Sequence, residues 1–375
     1  MRVCLLIPAL DAFKGGNHLP LLAALPEVEF TILTSRVKPP DAVLPRNIRL
    51  EFIDARLGSY YYGCADWRFG RVVLRSHPIN DPFWKAFDVI HLNQTMGPAL
   101  LELKKMHVPL LFFIHHPVSA DRQVALEESS MVEGWRWRLK YALLLHWQRR
   151  FVREIAHVAT VSHTAAQRIA SDYGRPVDGI GVVPNGIDSA LFTPGDLASS
   201  GFDVIAIGSF VHPRKGFRYL VEAYRELSAK GLRIADVGRR SAVQQAALRG
   251  IPNVRRVGIV KQEELLSLLR RSSVLLSTSL YEGFGLSLIE ALACGRPSFA
   301  FDAGAVREVL QPIDPGLIVP TRNAKELVRR VLQFLQVPVA ERVSKGEHYR
   351  AEVVRLYPLE SSAQALHRLY ERIAT

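Results

Sequence analysis

The stretch YEGFGLSLIEALACGRP, residues 281–297, sets two carboxylates, Glu282 and Glu290, around a glycine-rich turn and an apolar helical pattern. Gly283 and Gly285 flank Phe284, so the turn is conformationally permissive. Leu286, Leu288, Ile289, Leu292 and Ala293 follow with little polar surface between them. A carboxylate on such a helix is unfavourable unless a ligand or partner uses it. The backbone N–H groups near Gly285, Leu286 and Ser287 belong to a first helical turn, whose donors have no intrahelical acceptor and suit a phosphate or diphosphate. Glu290, about one and a half turns further in, is placed to accept hydrogen bonds from a vicinal diol. Glu282, before the helix, is placed to reach a polyol at the other end of the same ligand. A sugar, a diphosphate and a ribose in one molecule make a nucleotide sugar.

A second segment, IGSFVHPRKGFRYL (207–220), puts Arg214 and Lys215 just before Gly216 and another helical pattern. Two cations beside a helix N-terminus suit a diphosphate leaving group. Taken alone, the segment reads equally as a solvated basic loop. No two Asp residues stand two apart, and no H-E-x-x-H or Cys/His metal spacing occurs. Cations and helix dipoles are therefore expected to neutralise the diphosphate, with no catalytic metal and no cofactor.

These segments need elements to hold them. RVCLLIPAL, VEFTILTS, DVIHLNQ, PLLFFIHH and HVATVS read as buried strands in the first half; FDVIAIGSF, LRIADVG, SSVLLSTS and RPSFAFD do so in the second. Helical patterns such as FRYLVEAYRELSAKG and QEELLSLLRR lie between many of them. Buried strands joined by helices predict parallel sheets covered on both faces. VVPNGIDSALFTPGDLASSG (182–201) lacks a sustained period, and the strand pattern restarts at Phe202. The chain is expected to form an α/β protein of two Rossmann-like, doubly wound domains facing a central cleft: residues 1–190, then 191–355. Residues 356–375 form a last helix that could return to the first domain.

The 282–297 frame, with PRKG, VPNGID and GLIVP, resembles the retaining glycosyltransferases of family 4, group 1, which have the glycosyltransferase-B fold. The resemblance covers residues 202–319 well and the first half more loosely, through Gly15–Gly16 and His115. It implies that Glu290 holds the donor ribose, and that Glu282 with Gly283, Phe284 and Gly285 holds the donor sugar. Lys215, with Arg214, would stabilise the leaving diphosphate. Gly16 would approach the phosphates, His115 would sit by the reacting sugar, and Ile259 and Val260 would offer main-chain contacts to the base. His116 competes with His115 for that role; His115 is preferred because it is nearer the strand and HHP resembles the family's H-x-P. The family often has Arg where Ser209 stands, and a Gly-Gly pair where Ala303–Gly304 stands. The implied activity is transfer of a hexose from a nucleotide-diphosphate sugar to a hydroxyl of a glycan or lipid-linked acceptor. A nucleotide-sugar epimerase and, given Ser209, a non-catalytic nucleotide-sugar binder are the alternatives.

The 375 residues are 48% hydrophobic, enough for two cores, and Lys plus Arg exceed Asp plus Glu by 48 to 36, a net charge of +12. That excess suits an anionic partner. No nucleic-acid recognition motif appears. Cys4, Cys64 and Cys294 form no C-x-x-C pair and read as reduced thiols of a cytoplasmic protein. EGWRWRLKYALLLHWQRRFVREI (133–155) reads as one helix. Trp137, Tyr141, Leu144, Phe151, Val152 and Ile155 share a core face. Trp135, Leu139, Leu143 and Trp147 mix with Arg136, Arg138, Lys140, Arg149, Arg150 and Arg153 on the other. Tryptophan among cations suits the headgroup level of an anionic membrane, reached from its inner face. The alternative is a helix packed on two sides.

Overall fold

The computed structural model describes residues 1–11, 18–38, 43–56, 63–94, 96–195 and 201–375. The chain divides into two compact units, Met1–Gly186 with Leu359–Thr375, and Ile187–Pro358.

In the first unit, β1 (Arg2–Leu6), β2 (Leu10–Asp11), β3 (Glu29–Thr34), β4 (Val37–Lys38), β5 (Ile48–Phe52), β6 (Val89–Asn93), β7 (Leu110–Ile114), β8 (His157–Thr160) and β9 (Ile180–Val182) follow in order. Seven of them make one parallel sheet in the order β5-β3-β1-β6-β7-β8-β9, and β2 pairs with β4. Every residue of VIHLN in β6 and LLFFI in β7 is buried. Their uninterrupted burial, without alternation, follows from helices covering both faces. In the second unit, β10 (Phe202–Ile207), β11 (Ile234–Val237), β12 (Val254–Gly258), β13 (Ser272–Ser277), β14 (Ser298–Phe301) and β15 (Ile318–Val319) pair in parallel in the order β12-β11-β10-β13-β14-β15.

Both sheets reverse direction once. The chain winds outward from β1 through β3 to β5, then resumes on the other side of β1 at β6; likewise β10 leads to β11 and β12 before the chain resumes at β13. Parallel sheets open a crevice at the carboxyl ends of the two strands flanking such a reversal. The loops after β6, β7, β10 and β13 carry Gln, His, Arg and Lys, and Glu respectively. The residues that invite chemistry thus stand at or beside the reversal within each unit.

The irregular run after the first unit is held to the second by arginines. Arg350, on the helix Val339–Leu356, donates to the carbonyls of Phe192 (2.5 Å), Ala293 (2.6 Å) and Ser189 (2.9 Å). Arg270 donates to those of Thr193 and Leu191, and the buried Arg296 to those of Gly195 and Arg270. A planar guanidinium serves carbonyls that no regular element satisfies. The last segment divides at Pro358. The helix Leu359–Ala374 belongs to the first unit, where the Tyr370 hydroxyl lies 2.7 Å from His91 Nδ1 of β6.

Arg350→Ala leaves three backbone carbonyls without their donor. It is expected to lower stability by roughly 2–4 kcal/mol in urea unfolding, with Arg350→Lys recovering only part, since one ammonium does not span the three acceptors.

Candidate functional site

In the second unit, two loops are locked together by backbone contacts. The segment Pro213–Lys215 forms a single 3-10 turn that ends on Gly216 at φ 65°. A Cβ at Gly216 would overlap the Thr278 carbonyl oxygen, so only glycine admits this approach. The Leu280 N–H donates to the Arg214 carbonyl (2.6 Å), and the Thr278 hydroxyl to that of Lys215 (3.0 Å). On its other side the β13 loop meets Gly304, φ 62°, whose Cβ would overlap the Glu282 carbonyl oxygen. The Ala305 N–H donates to that carbonyl at 2.9 Å. The single glycine of DAGAV is thus the one that this contact requires.

This framework sets Lys215 Nζ 2.5 Å from Glu282 Oε1, and Arg214 Nη1 3.7 Å from Glu282 Oε2. Burial alone would raise the Glu282 pKa. Lys215 and then Arg214 outweigh it and hold the carboxyl at about 2, with Ser279 adding a hydrogen bond. The sequence reading gave Glu282 the donor sugar and Lys215 the leaving diphosphate, as separate tasks. The structure joins them in one cluster, beside the N-terminus of the helix Leu286–Ala293. Gly285, at φ 102°, caps that helix, and its carbonyl accepts from Leu288 (2.9 Å). The N–H groups of Leu286 and Ser287 precede this first intrahelical bond. Gly283 and Phe284 are buried, and Phe284 packs edge-on against Tyr357 with ring centroids 5.5 Å apart.

Glu290 lies in the opposite environment. It is half-buried on the same helix, and among the described residues no side chain donates a hydrogen bond to its carboxylate. Desolvation raises its pKa to about 7. Ser209 follows Gly208 at the end of β10, and its carbonyl accepts from His212 (3.3 Å). Ile259 is exposed and Val260 half-buried, directly after β12. The Gly258 carbonyl there accepts from Gly238 at 2.6 Å. Gly16 lies outside the described residues.

In the first unit, His115 follows β7, and its Nε2 lies 2.9 Å from Asn93 Oδ1 at the end of β6. His116 instead faces Asp121 of the helix Val118–Glu127, Nε2 to Oδ2 3.1 Å. The two histidines therefore separate, one toward the neighbouring strand end and one into a helix terminus. Gln94 follows Asn93 with φ 65°, a conformation rare for a side-chain-bearing residue. Its amide accepts from the His115 N–H (2.7 Å) and donates to the His116 carbonyl (2.9 Å), so it clamps the histidine turn. Backbone strain of this kind gathers at functional loops.

Asn93 and Gln94 were missed in the sequence, since Gln has no intrinsic preference for positive φ. Asp236 and Arg240 were missed as well. They form a buried ion pair, and Tyr224 donates to Asp236 at 2.9 Å. Arg240 also donates to the Gly208 carbonyl (2.7 Å) and lies 4.2 Å over Phe210, fixing the loop after β10. The charge of Asp236 inside the otherwise apolar IADV was the available signal.

Glu290 carries a pH signature. Its folded-state pKa is raised, so the folded protein holds the proton more tightly than the unfolded chain. Stability is then highest below about pH 4.5 for this group and declines as pH rises toward 7. Glu290→Gln is expected to stabilise the protein by about 1–3 kcal/mol at pH 8, with the gain shrinking toward pH 5, read by urea unfolding at both pH values.

Two family profiles match the chain: "Glycosyltransferase Family 4" over residues 22–191 and "Glycosyl transferases group 1" over residues 201–337. The MMP alpha-(1->4)-mannosyltransferase of Mycolicibacterium hassiacum is 31% identical over 304 residues, 76% of this chain and 71% of that protein. The phosphatidyl-myo-inositol mannosyltransferase of Mycobacterium leprae is 26% identical over 302 residues, 77% of this chain and 74% of that one. The fold is similar to that of sucrose-phosphate synthase from Thermosynechococcus elongatus, with a TM-score of 0.79, 20% identity, and 99% and 98% of the two chains covered. Both units are matched, and the glutamate frame falls within the second profile. The chain belongs to the group 1, family 4 glycosyltransferases, with the glycosyltransferase-B fold.

Proposed function

We propose that this hexosyltransferase works with retention of anomeric configuration. It moves a hexose from a nucleotide-diphosphate sugar to a hydroxyl of a lipid-linked or inositol-containing acceptor. The observation that carries the reading is the pairing of opposite electrostatic environments around one short helix. Lys215 and Arg214 surround Glu282 at its N-terminal end, and Glu290 stands half-buried with a raised pKa further along it. Helix N-terminal donors and two cations favour a diphosphate. A carboxylate held out of water and lacking donors suits a vicinal diol, which supplies two. The lipid or inositol acceptor is supported by the phosphatidyl-myo-inositol mannosyltransferase relative.

In this reading the C1–O bond to the diphosphate breaks as the acceptor oxygen bonds to C1 from the same face. The acceptor's proton passes to the departing phosphate oxygen. Lys215 and Arg214 stabilise the charge developing on that phosphate and need no metal to do so. Glu282 keeps both cations in place and accepts hydrogen bonds from the sugar. His115, oriented by Asn93 and by the Gln94 clamp, hydrogen-bonds the reacting sugar.

Three outcomes follow. Product linkage read by NMR is expected to keep the donor's anomeric configuration; inversion, or a product formed from donor alone, overturns the reading. Lys215→Ala is expected to lower kcat by at least about 100-fold at saturating donor, while a chelator leaves turnover unchanged. Binding of a nucleotide sugar, whose diphosphate does not titrate in this range, should release a proton near pH 6–7, because diol donors pull the Glu290 pKa down from about 7. Calorimetry in buffers of different ionisation enthalpy reads that proton. Glu290→Gln should abolish the release and weaken affinity by roughly 1–3 kcal/mol.

A further inference from the structure

The helix Met131–Glu154 is the longest in the structure and opens with a capping box in which Ser130 and Glu133 satisfy each other's backbone donors. Two of its sides are used. Tyr141, with Trp137, Leu144 and Leu145, packs with Val118 and Ala125 of the neighbouring helix Val118–Glu127. Phe151 and Val152 enter the core of the unit. Trp147, expected on the outer side, is buried: its ring packs on Gly63, where a Cβ would collide with it. Only one tryptophan therefore remains outside, and the outer face is narrower than the sequence suggested.

What remains outward is ordered. Met131, Trp135, Leu139 and Leu143 recur every four residues and form one exposed apolar stripe, with Val132 beside it. Trp135 is 66% exposed and Leu139 63%. Arg136 and Arg138 flank the stripe and are exposed, the Arg138 guanidinium lying 5.5 Å from the centre of the Trp135 ring. Further along the same face the apolar residues give way to Arg149, Arg150 and Arg153, all exposed. A helix exposing this much apolar surface needs a covering phase. Among the described residues no helix is long and apolar enough to cross a membrane.

We propose that this face docks in the plane of an anionic phospholipid surface. The stripe enters the headgroup–acyl boundary, Trp135 sits at headgroup level, and the arginines engage lipid phosphates. The charge sign selects this occupant over a second copy of the chain, because two such faces would bring their arginines together. The stripe and the cations lie along one helix face, the arrangement of interfacial helices. Docking would hold the first unit where a lipid-linked acceptor is found. The inference deepens the acceptor assignment above but uses none of the donor-site residues, so it stands or falls separately.

The test is co-sedimentation of the full chain with phosphatidylglycerol–phosphatidylcholine vesicles and with pure phosphatidylcholine vesicles, at low and high salt. The parent is expected to bind the anionic vesicles, bind the neutral ones weakly, and dissociate as salt rises. Each cation near an anionic surface is worth about fivefold in partition, so Arg136→Ser with Arg138→Ser and Arg150→Ser should lose on the order of 100-fold. Trp135→Ser with Leu139→Ser and Leu143→Ser should lose binding to both vesicle types. Nucleoside-diphosphate affinity should match the parent for both variants, and unfolding midpoints should change by no more than the small loss of one exposed ion pair, Arg150 with Glu154. A parent that ignores anionic vesicles at low salt, or an apolar triple variant that binds as well as the parent, overturns the proposal. So does a parent that self-associates without vesicles through the same stripe and fails to bind them.

Discussion

The parallel pairing of β10 with β13, across the point where the chain reverses direction, is the constraint on which the geometry of the Lys215–Arg214–Glu282 cluster rests. It sets two loops from distant stretches of sequence side by side. Their closeness then forces the choice of residues. Gly216 must lack a side chain to meet the Thr278 carbonyl, and Gly304 must lack one to meet Glu282. Once those contacts close, Lys215 and Arg214 reach Glu282 without further adjustment. The Asp236–Arg240 pair supports the same loop from the other strand, because Arg240 binds the Gly208 carbonyl.

The two glutamates of the frame show how position overrides chemistry. Both are largely withdrawn from water, yet one carboxyl titrates near 2 and the other near 7. Burial pushes both upward; only Glu282 has cations within reach to reverse it. A fully paired carboxylate keeps the loop closed and the cations oriented. In the proposed reading, Glu290, to which no described side chain donates, gains its donors from the ligand, and its destabilising charge is the counterpart of that binding. The first unit uses a neutral version of the same principle. Gln94 accepts a strained backbone so that its amide can fix the histidine turn, and Asn93 meets the His115 ring.

The sequence was legible wherever a local signal sufficed. Continuous apolar runs announced parallel strands, and Gly283 and Gly285 marked the turn. The family frame then identified the glycosyltransferase. Legibility failed where the deciding partner was remote. Trp147 is indistinguishable from Trp135 in the sequence, since both sit among arginines on one helix; only the position of Gly63 decides that one is covered and the other exposed. His115 and His116 are likewise adjacent and chemically identical. Asp121 and Asn93, from separate elements, draw them apart.

Residue order alone was enough to read the parallel α/β elements, the family, and the glutamates, cations and glycines that frame one short helix. These follow from periodicity and from spacing along a short segment, where neighbours in sequence are neighbours in space. The packed structure was needed to show that Lys215 and Arg214 hold Glu282, that no described side chain donates to Glu290, and that Gln94 clamps the histidine turn. Those outcomes depend on which strands lie beside one another in the sheet. Ion pairing and desolvation respond to distances of a few ångströms between residues that the sequence separates by dozens of positions.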